Sequence, residues 1–226
     1  MYGIIRKDKI MSRKFELWND PYGRGFDLWE KRIIEINNGV TVLVGCNGIG
    51  KTSMLKNIES ILKDNNIPVI QFNNFLDGGV NAQSEKIFTG DFNFLSESVC
   101  SSEGENIILN LCDLATKLGV FVNKDINKKD KMQEKTSNER WILFDAVDSG
   151  LSIDNIIDVK EKLLKIIIEH KKDKDIYIII SANEYEMANS EQCFDVYNGK
   201  YITFKNYDEY KNMILESRKW KEKRGK

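Results

Sequence analysis

The chain has 226 residues, 41% hydrophobic and 31% charged, which suits one globular domain with a sizeable core. Lys plus Arg is 34 and Asp plus Glu is 35, so bulk positive charge holding the protein to nucleic acid is excluded. A single histidine, His170, cannot build a His-rich metal site, and Cys46, Cys100, Cys112 and Cys193 form no CxxC pair.

In chain order, the first 14 residues carry five basic and one acidic residue and lack a signal-peptide core. No apolar run reaches the length of a membrane helix, so direct membrane insertion is not expected. With scattered cysteines, this reads as a soluble protein of the reducing cytoplasm. Arg32–Ile36 predicts a short strand and Asn37-Asn38-Gly39 a turn. Val40–Val44 is a β-branched run that suits a buried parallel strand. Thr52–Lys63 places Met54, Leu55, Ile58, Ile61 and Leu62 at helical spacing. Pro68–Phe72 predicts the next strand, and Ile107, Ile108, Leu111, Leu114, Ala115 and Leu118 a helix face that Gly119 can end.

Residues 123–140 carry ten charges, six of them basic, and read as a surface linker. Trp141–Phe144 predicts a buried strand, Ile153–Lys172 a helix, Ile176–Ile180 a strand, and Val196–Ile202 a late hairpin. Strands alternating with helices predict an α/β fold with a largely parallel sheet, in one domain over residues 1–226. Residues 217–226 carry six basic residues, one acidic residue and Trp220. They read either as the solvated end of a helix or as a contact for nucleic acid or an acidic protein surface.

The run Gly45-Cys46-Asn47-Gly48-Ile49-Gly50-Lys51-Thr52 fits GxxxxGK[ST] between a predicted strand and a predicted helix. Glycines let backbone N–H groups curl around phosphate oxygens, and the helix N-terminus adds partial positive charge. Lys51 then reaches the outer phosphates, and the Thr52 hydroxyl is placed for Mg²⁺. Asp145 ends an apolar strand, the position from which a carboxylate holds that Mg²⁺ opposite the threonine.

Together these segments resemble ABC-type ATPases of the non-transporter kind. The loop Gly45–Ser53, with its Asn47-Gly48 pair, is similar to theirs. Phe144–Ser152 resembles their Walker B and D-loop stretch, and Ser101-Ser102-Glu103-Gly104-Glu105 their signature motif in its Ser-x-Gly-Glu form. Asp195–Tyr201 looks like the strand-turn-strand that closes such domains. The resemblance spans roughly residues 28–205. It implies a P-loop NTPase with a three-layer αβα fold, an ABC-type nucleotide-binding domain. It also implies ATP and Mg²⁺ as ligands and an ATP-dependent homodimer. Ser102, Gly104 and Glu105 would then cap the γ-phosphate bound by the partner's loop. Only about 50 residues separate Lys51 from this motif, which excludes a long coiled-coil insertion.

Two positions depart from the family. Ala146 stands where the family has its catalytic Glu, and Asn183 where it has a His. Asp148 is the nearest replacement carboxylate, either as base or as an organiser of the turn. The metal-approaching amide is Gln71, Asn73 or Asn74, and the adenine-stacking aromatic Tyr22, Phe26 or Trp29. A slow ATPase is the resulting expectation. A nucleotide-sensing scaffold that does not hydrolyse ATP and a transporter's ATPase subunit are the alternatives.

Overall fold

The computed structural model describes residues 11–73, 118–123, 138–149, 151–169 and 174–224. A small antiparallel sheet pairs β1 (Ser12–Glu16) with β2 (Ile33–Asn37). The main sheet contains β3 (Gly39–Val44), β4 (Val69–Asn73), β5 (Glu139–Asp145), β6 (Asp175–Ser181), β7 (Gln192–Asp195) and β8 (Lys200–Ile202). Its order is β4-β5-β6-β3-β7-β8, parallel throughout except for the β7–β8 edge. One strand, β6, therefore lies between the strand leading into the phosphate loop and the strand ending at Asp145.

The pleat divides the core. Val42, Val44, Ile142, Phe144, Ile178 and Ile180 face one side, with Ile156, Val159, Leu164, Met187 and Tyr210. Leu43, Trp141, Leu143, Tyr177 and Ile179 face the other, with Phe15, Ile34, Ile36, Met54, Leu55, Ile58 and Leu62. Both faces being covered explains why these strands read as continuous apolar runs. Trp141 stacks on Tyr177 with centroids 4.0 Å apart, and Phe15 meets Trp141 edge-on at 5.2 Å.

Helix α1 (Lys51–Asp64) covers the second face with the apolar stripe expected of it. It ends where Asn66 takes a left-handed φ of 53° and Ile67 N donates to Leu62 O. On the first face lie α2 (Ile153–Asp158), a wider π turn (Val159–Leu164) and α3 (Lys165–Glu169), joined end to end. Lys160 in that turn donates to the carbonyls of Glu186 and Asn189, tying it to α4 (Tyr185–Ala188). Helix α5 (Tyr207–Lys223) is capped by Asn206, which accepts from Glu209 N. The result is a three-layer α/β fold, with helices on both faces of a largely parallel sheet.

Several sequence expectations change. The predicted linker is shorter at both ends: residues 118–123 are helical, and Glu139 and Arg140 open β5. The late hairpin is displaced, because Val196–Gly199 forms its turn and Gln192–Asp195 its first strand. Strand β1 was not expected: SRKFE is charged, and only Phe15 in it is buried. The predicted helix around 107–117, the signature residues Ser102, Gly104 and Glu105, Asn74 and His170 lie outside the described residues. Among the described residues, no helix is long and apolar enough to cross a membrane.

Candidate functional site

The phosphate loop leaves β3 at Gly45 and enters α1 at Lys51. Its three glycines, Gly45, Gly48 and Gly50, have φ of 146°, 76° and 114°, which L side chains rarely adopt. At Gly50 space is short as well, since a Cβ would come within 2.8 Å of Trp29 Nε1. The helix that follows has no side-chain N-cap and no acid in its first turn. Its first backbone N–H groups are thus open to an anion. Lys51 is buried and donates from Nζ to Gly45 O at 2.7 Å. Burial pushes its pKa down, against the carboxylates of Asp148 and Asp145.

Opposite the loop, three strand ends meet. Asp145 ends β5 and is in register with Ser181 at the end of β6 and Asn73 at the end of β4. Asp145 Oδ1 accepts from Thr52 Oγ1 at 3.0 Å and from Ser181 Oγ at 2.6 Å. Ser181 Oγ in turn accepts from Ala146 N at 2.8 Å. Ala146 has a left-handed φ of 55°, a conformation that costs an alanine about 1 kcal/mol. Asp148 is 1% exposed. Its Oδ2 accepts from the backbone N–H groups of Asn183 (2.6 Å) and Glu184 (2.7 Å), while Oδ1 is buried with no partner among the described residues. Burial raises the Asp148 pKa, against those two donors. Asn183 lines the cleft and donates from Nδ2 to Ser149 Oγ at 3.3 Å.

The loop and the strand ends border a cleft of about 470 Å³. Of the three candidate aromatics, Tyr22 and Phe26 line it, whereas Trp29 is buried beneath Gly50. Tyr22 is 59% exposed, its hydroxyl lies 2.9 Å from Ser53 Oγ, and the Arg24 guanidinium lies over its ring. Of the amide candidates, Gln71 turns to α1, where its amide in the satisfied orientation donates to Glu59. Asn73 sits beside Asp145 in the sheet.

The last turns of α5 lie against the phosphate loop. Ser217, fully buried, accepts from Cys46 N at 2.8 Å, and Lys221 Nζ donates to Asn47 O at 2.9 Å. Just past the helix, Arg224 Nη2 donates to Ile49 O at 2.9 Å. Trp220 stacks on Tyr197, with centroids 5.0 Å apart. The basic C-terminal segment is therefore docked through Arg224, not a free tail. Tertiary contacts hold it there, and no sequence pattern signals them. Among the described residues, Arg24, Lys51, Lys221 and Arg224 line the cleft against one carboxylate, that of Asp145, a balance that suits a polyanion.

Sequence reasoning missed Ser181, Ser217, Lys221 and Arg224. Ser181 carried a readable signal, because it ends its apolar strand as Asp145 ends the neighbouring one.

No protein-family model matches the chain, and no curated protein matches its sequence. Solved structures are similar in fold. One is a nucleotide-free ATP-binding cassette from an ABC transporter, with a TM-score of 0.51 and 15% identity, covering 93% of this chain and 99% of that one. Another is an ATP-binding cassette of an ABC transporter in its ADP conformation, with a TM-score of 0.51 and 14% identity, covering 93% and 98%. The chain thus shares the fold of these ATP-binding cassettes.

Proposed function

We propose that the chain binds ATP with Mg²⁺ in this cleft and hydrolyses it slowly, as a non-transporter ABC-type ATPase that dimerises on ATP. The observation that carries this reading is the Thr52–Asp145 contact, which joins the phosphate loop to the acidic strand end. Backbone N–H groups from Gly48 to Ser53 hold the phosphates, Lys51 contacts their outer oxygens, and Tyr22 or Phe26 stacks on the base.

The two oxygens fit Mg²⁺. Thr52 Oγ1 and Asp145 Oδ1, 3.0 Å apart, are hard oxygen donors that would hold it directly or through water. Among the described residues no cluster of three His, Cys, Asp or Glu could hold a metal alone. The other ligands would come from phosphate and water, as is usual for this ion, which would neutralise phosphate charge.

Asp148, with a raised pKa and an Oδ1 unpartnered among the described residues, is the candidate base, and Asn183 a neutral hydrogen-bond partner for phosphate. Ser102, Gly104 and Glu105 would complete the site across a head-to-tail dimer. A DNA-related, phage or defence process is the proposed setting.

Ala146 favours a second reading, a nucleotide-sensing scaffold, because its methyl group cannot polarise water. A transporter subunit is a third, consistent with the described neighbours. Turnover of wild type beside Lys51→Ala and Asp148→Ala separates the first two. The ATPase reading expects measurable phosphate release that both variants abolish. ATP binding with no release by wild type would establish the scaffold.

A further inference from the structure

The outer side of the phosphate loop carries a second set of cations. Lys221 Nζ caps Asn47 O and Arg224 Nη2 caps Ile49 O, each at 2.9 Å. Each contact uses one donor, leaving two on the ammonium and four on the guanidinium. Among the described residues, Arg224 Nε is buried without a hydrogen-bond partner. Both residues also border the cleft. Among the described residues no carboxylate pairs with either, since neighbouring Glu222 is taken by Arg218.

Their positions are held. Ser217, one turn before Lys221, accepts from Cys46 N, and Tyr197 is contacted by Trp220 and by the Arg224 guanidinium, 5.4 Å from its ring centroid. A Cβ on Gly48 would come within 2.9 Å of Lys221 Nζ, so the cation sits directly against the middle of the loop. Lys221 is exposed and Arg224 half-buried at the border of the cleft, so both can meet an anion bound there.

We propose that Lys221 and Arg224 are nucleotide-binding residues: the C-terminal helix supplies two cations, within the same chain, to the phosphate groups of the bound nucleotide. The assignment rests on the nucleotide reading above and extends it to a segment 171 to 175 residues away in sequence from the loop. It also gives the docked helix a function other than binding a nucleic-acid backbone.

The test is calorimetric binding of ATP, ADP and AMP by the full chain, across salt from about 0.05 to 0.3 M, where the screening length roughly halves. Wild type is compared with the Lys221→Gln/Arg224→Gln double variant, the charge-keeping Lys221→Arg/Arg224→Lys double variant, and Ser217→Ala. The Gln variant should lose about tenfold or more in ATP affinity. Its loss should shrink from ATP through ADP to AMP, and its affinity should depend less on salt. The charge-keeping variant should recover most of that affinity. Ser217→Ala loosens the helix without removing either charge, so it should lower the melting temperature and weaken ATP binding less than the Gln variant does.

Unchanged ATP affinity and salt dependence in the Gln variant would overturn the assignment while leaving the nucleotide reading intact. So would equal losses in the Gln and charge-keeping variants, which would mark a structural buttress. Loss of duplex DNA binding with ATP affinity unchanged would assign the cations to nucleic acid instead. Wild type that binds no ATP would remove the nucleotide reading itself, and the assignment with it.

Discussion

Asp148 shows how little of a residue's role its position in the chain discloses. Its place three residues after Asp145 marked it as an acid near the site. Its two oxygens then diverge: one caps the backbone of Asn183 and Glu184, and the other is buried with no partner among the described residues. Burial raises its pKa. A carboxyl whose folded pKa exceeds its unfolded value contributes stability fully below the unfolded value. That contribution is lost as pH rises through the folded one. Asp148→Asn keeps an acceptor for the two amides and removes the buried charge. It should therefore be more stable than wild type near neutral pH, with the difference vanishing as pH falls below the ordinary carboxylate range. Thermal melting across pH checks this, and a less stable Asn variant at neutral pH contradicts it. The phosphate loop, Thr52 and Asp145 were readable because their residue types and spacing are the chemistry. Ser181, Lys221 and Arg224 were not singled out, because what defines them is a neighbour brought close by the fold.

At the scale of elements, hydrophobic period was the reliable signal. Val40–Val44 and Ile176–Ile180 lie inside parallel strands covered on both faces, and α1 buries the stripe its spacing announced. Strand β1, which the sequence did not announce, gains its order from contacts rather than from its own pattern, and so does the docking of α5 on the phosphate loop. In β1 only Phe15 reaches the core, and in α5 only Tyr210 and Ser217 are buried. Helix α5 is held on the loop side by the Trp220–Tyr197 stack and by three hydrogen bonds to the loop backbone. Trp220→Ala should thus cost a modest 1–2 kcal/mol or so of stability. It should weaken ATP binding disproportionately, since it frees the helix that carries Lys221. Ile58→Ala, in the core stripe of α1, should cost about 2–5 kcal/mol and leave ATP affinity of the folded fraction nearly unchanged. Denaturation and binding on the same samples separate the two. Equal effects on binding would contradict this division between elements.

For the molecule as a whole, the alternation of strands and helices was legible, but the strand order was not. Nothing local indicates that β6 enters between β3 and β5. That placement sets Ser181 beside Asp145 and makes the site from three strand ends rather than two. The same limit explains why the chain matches solved cassettes in fold at only 15% and 14% identity. Backbone topology is shared where side chains are not. The proposed dimer would close over a cleft that, among the described residues, is lined by four cations and one carboxylate. Solution scattering should show a monomer alone and a dimer with saturating Mg-ATP, more so in a variant that cannot hydrolyse it. An unchanged monomer in both would contradict the proposed switch.

The central claim is that this cleft binds Mg-ATP through Lys51, Thr52 and Asp145. Equilibrium binding of ATP with and without Mg²⁺, to wild type and to Lys51→Ala, tests it most directly. The account predicts micromolar-range binding, about −8 kcal/mol, strengthened by Mg²⁺ and weakened about a hundredfold or more by Lys51→Ala. Binding that is absent in wild type, or equal in Lys51→Ala, would contradict it.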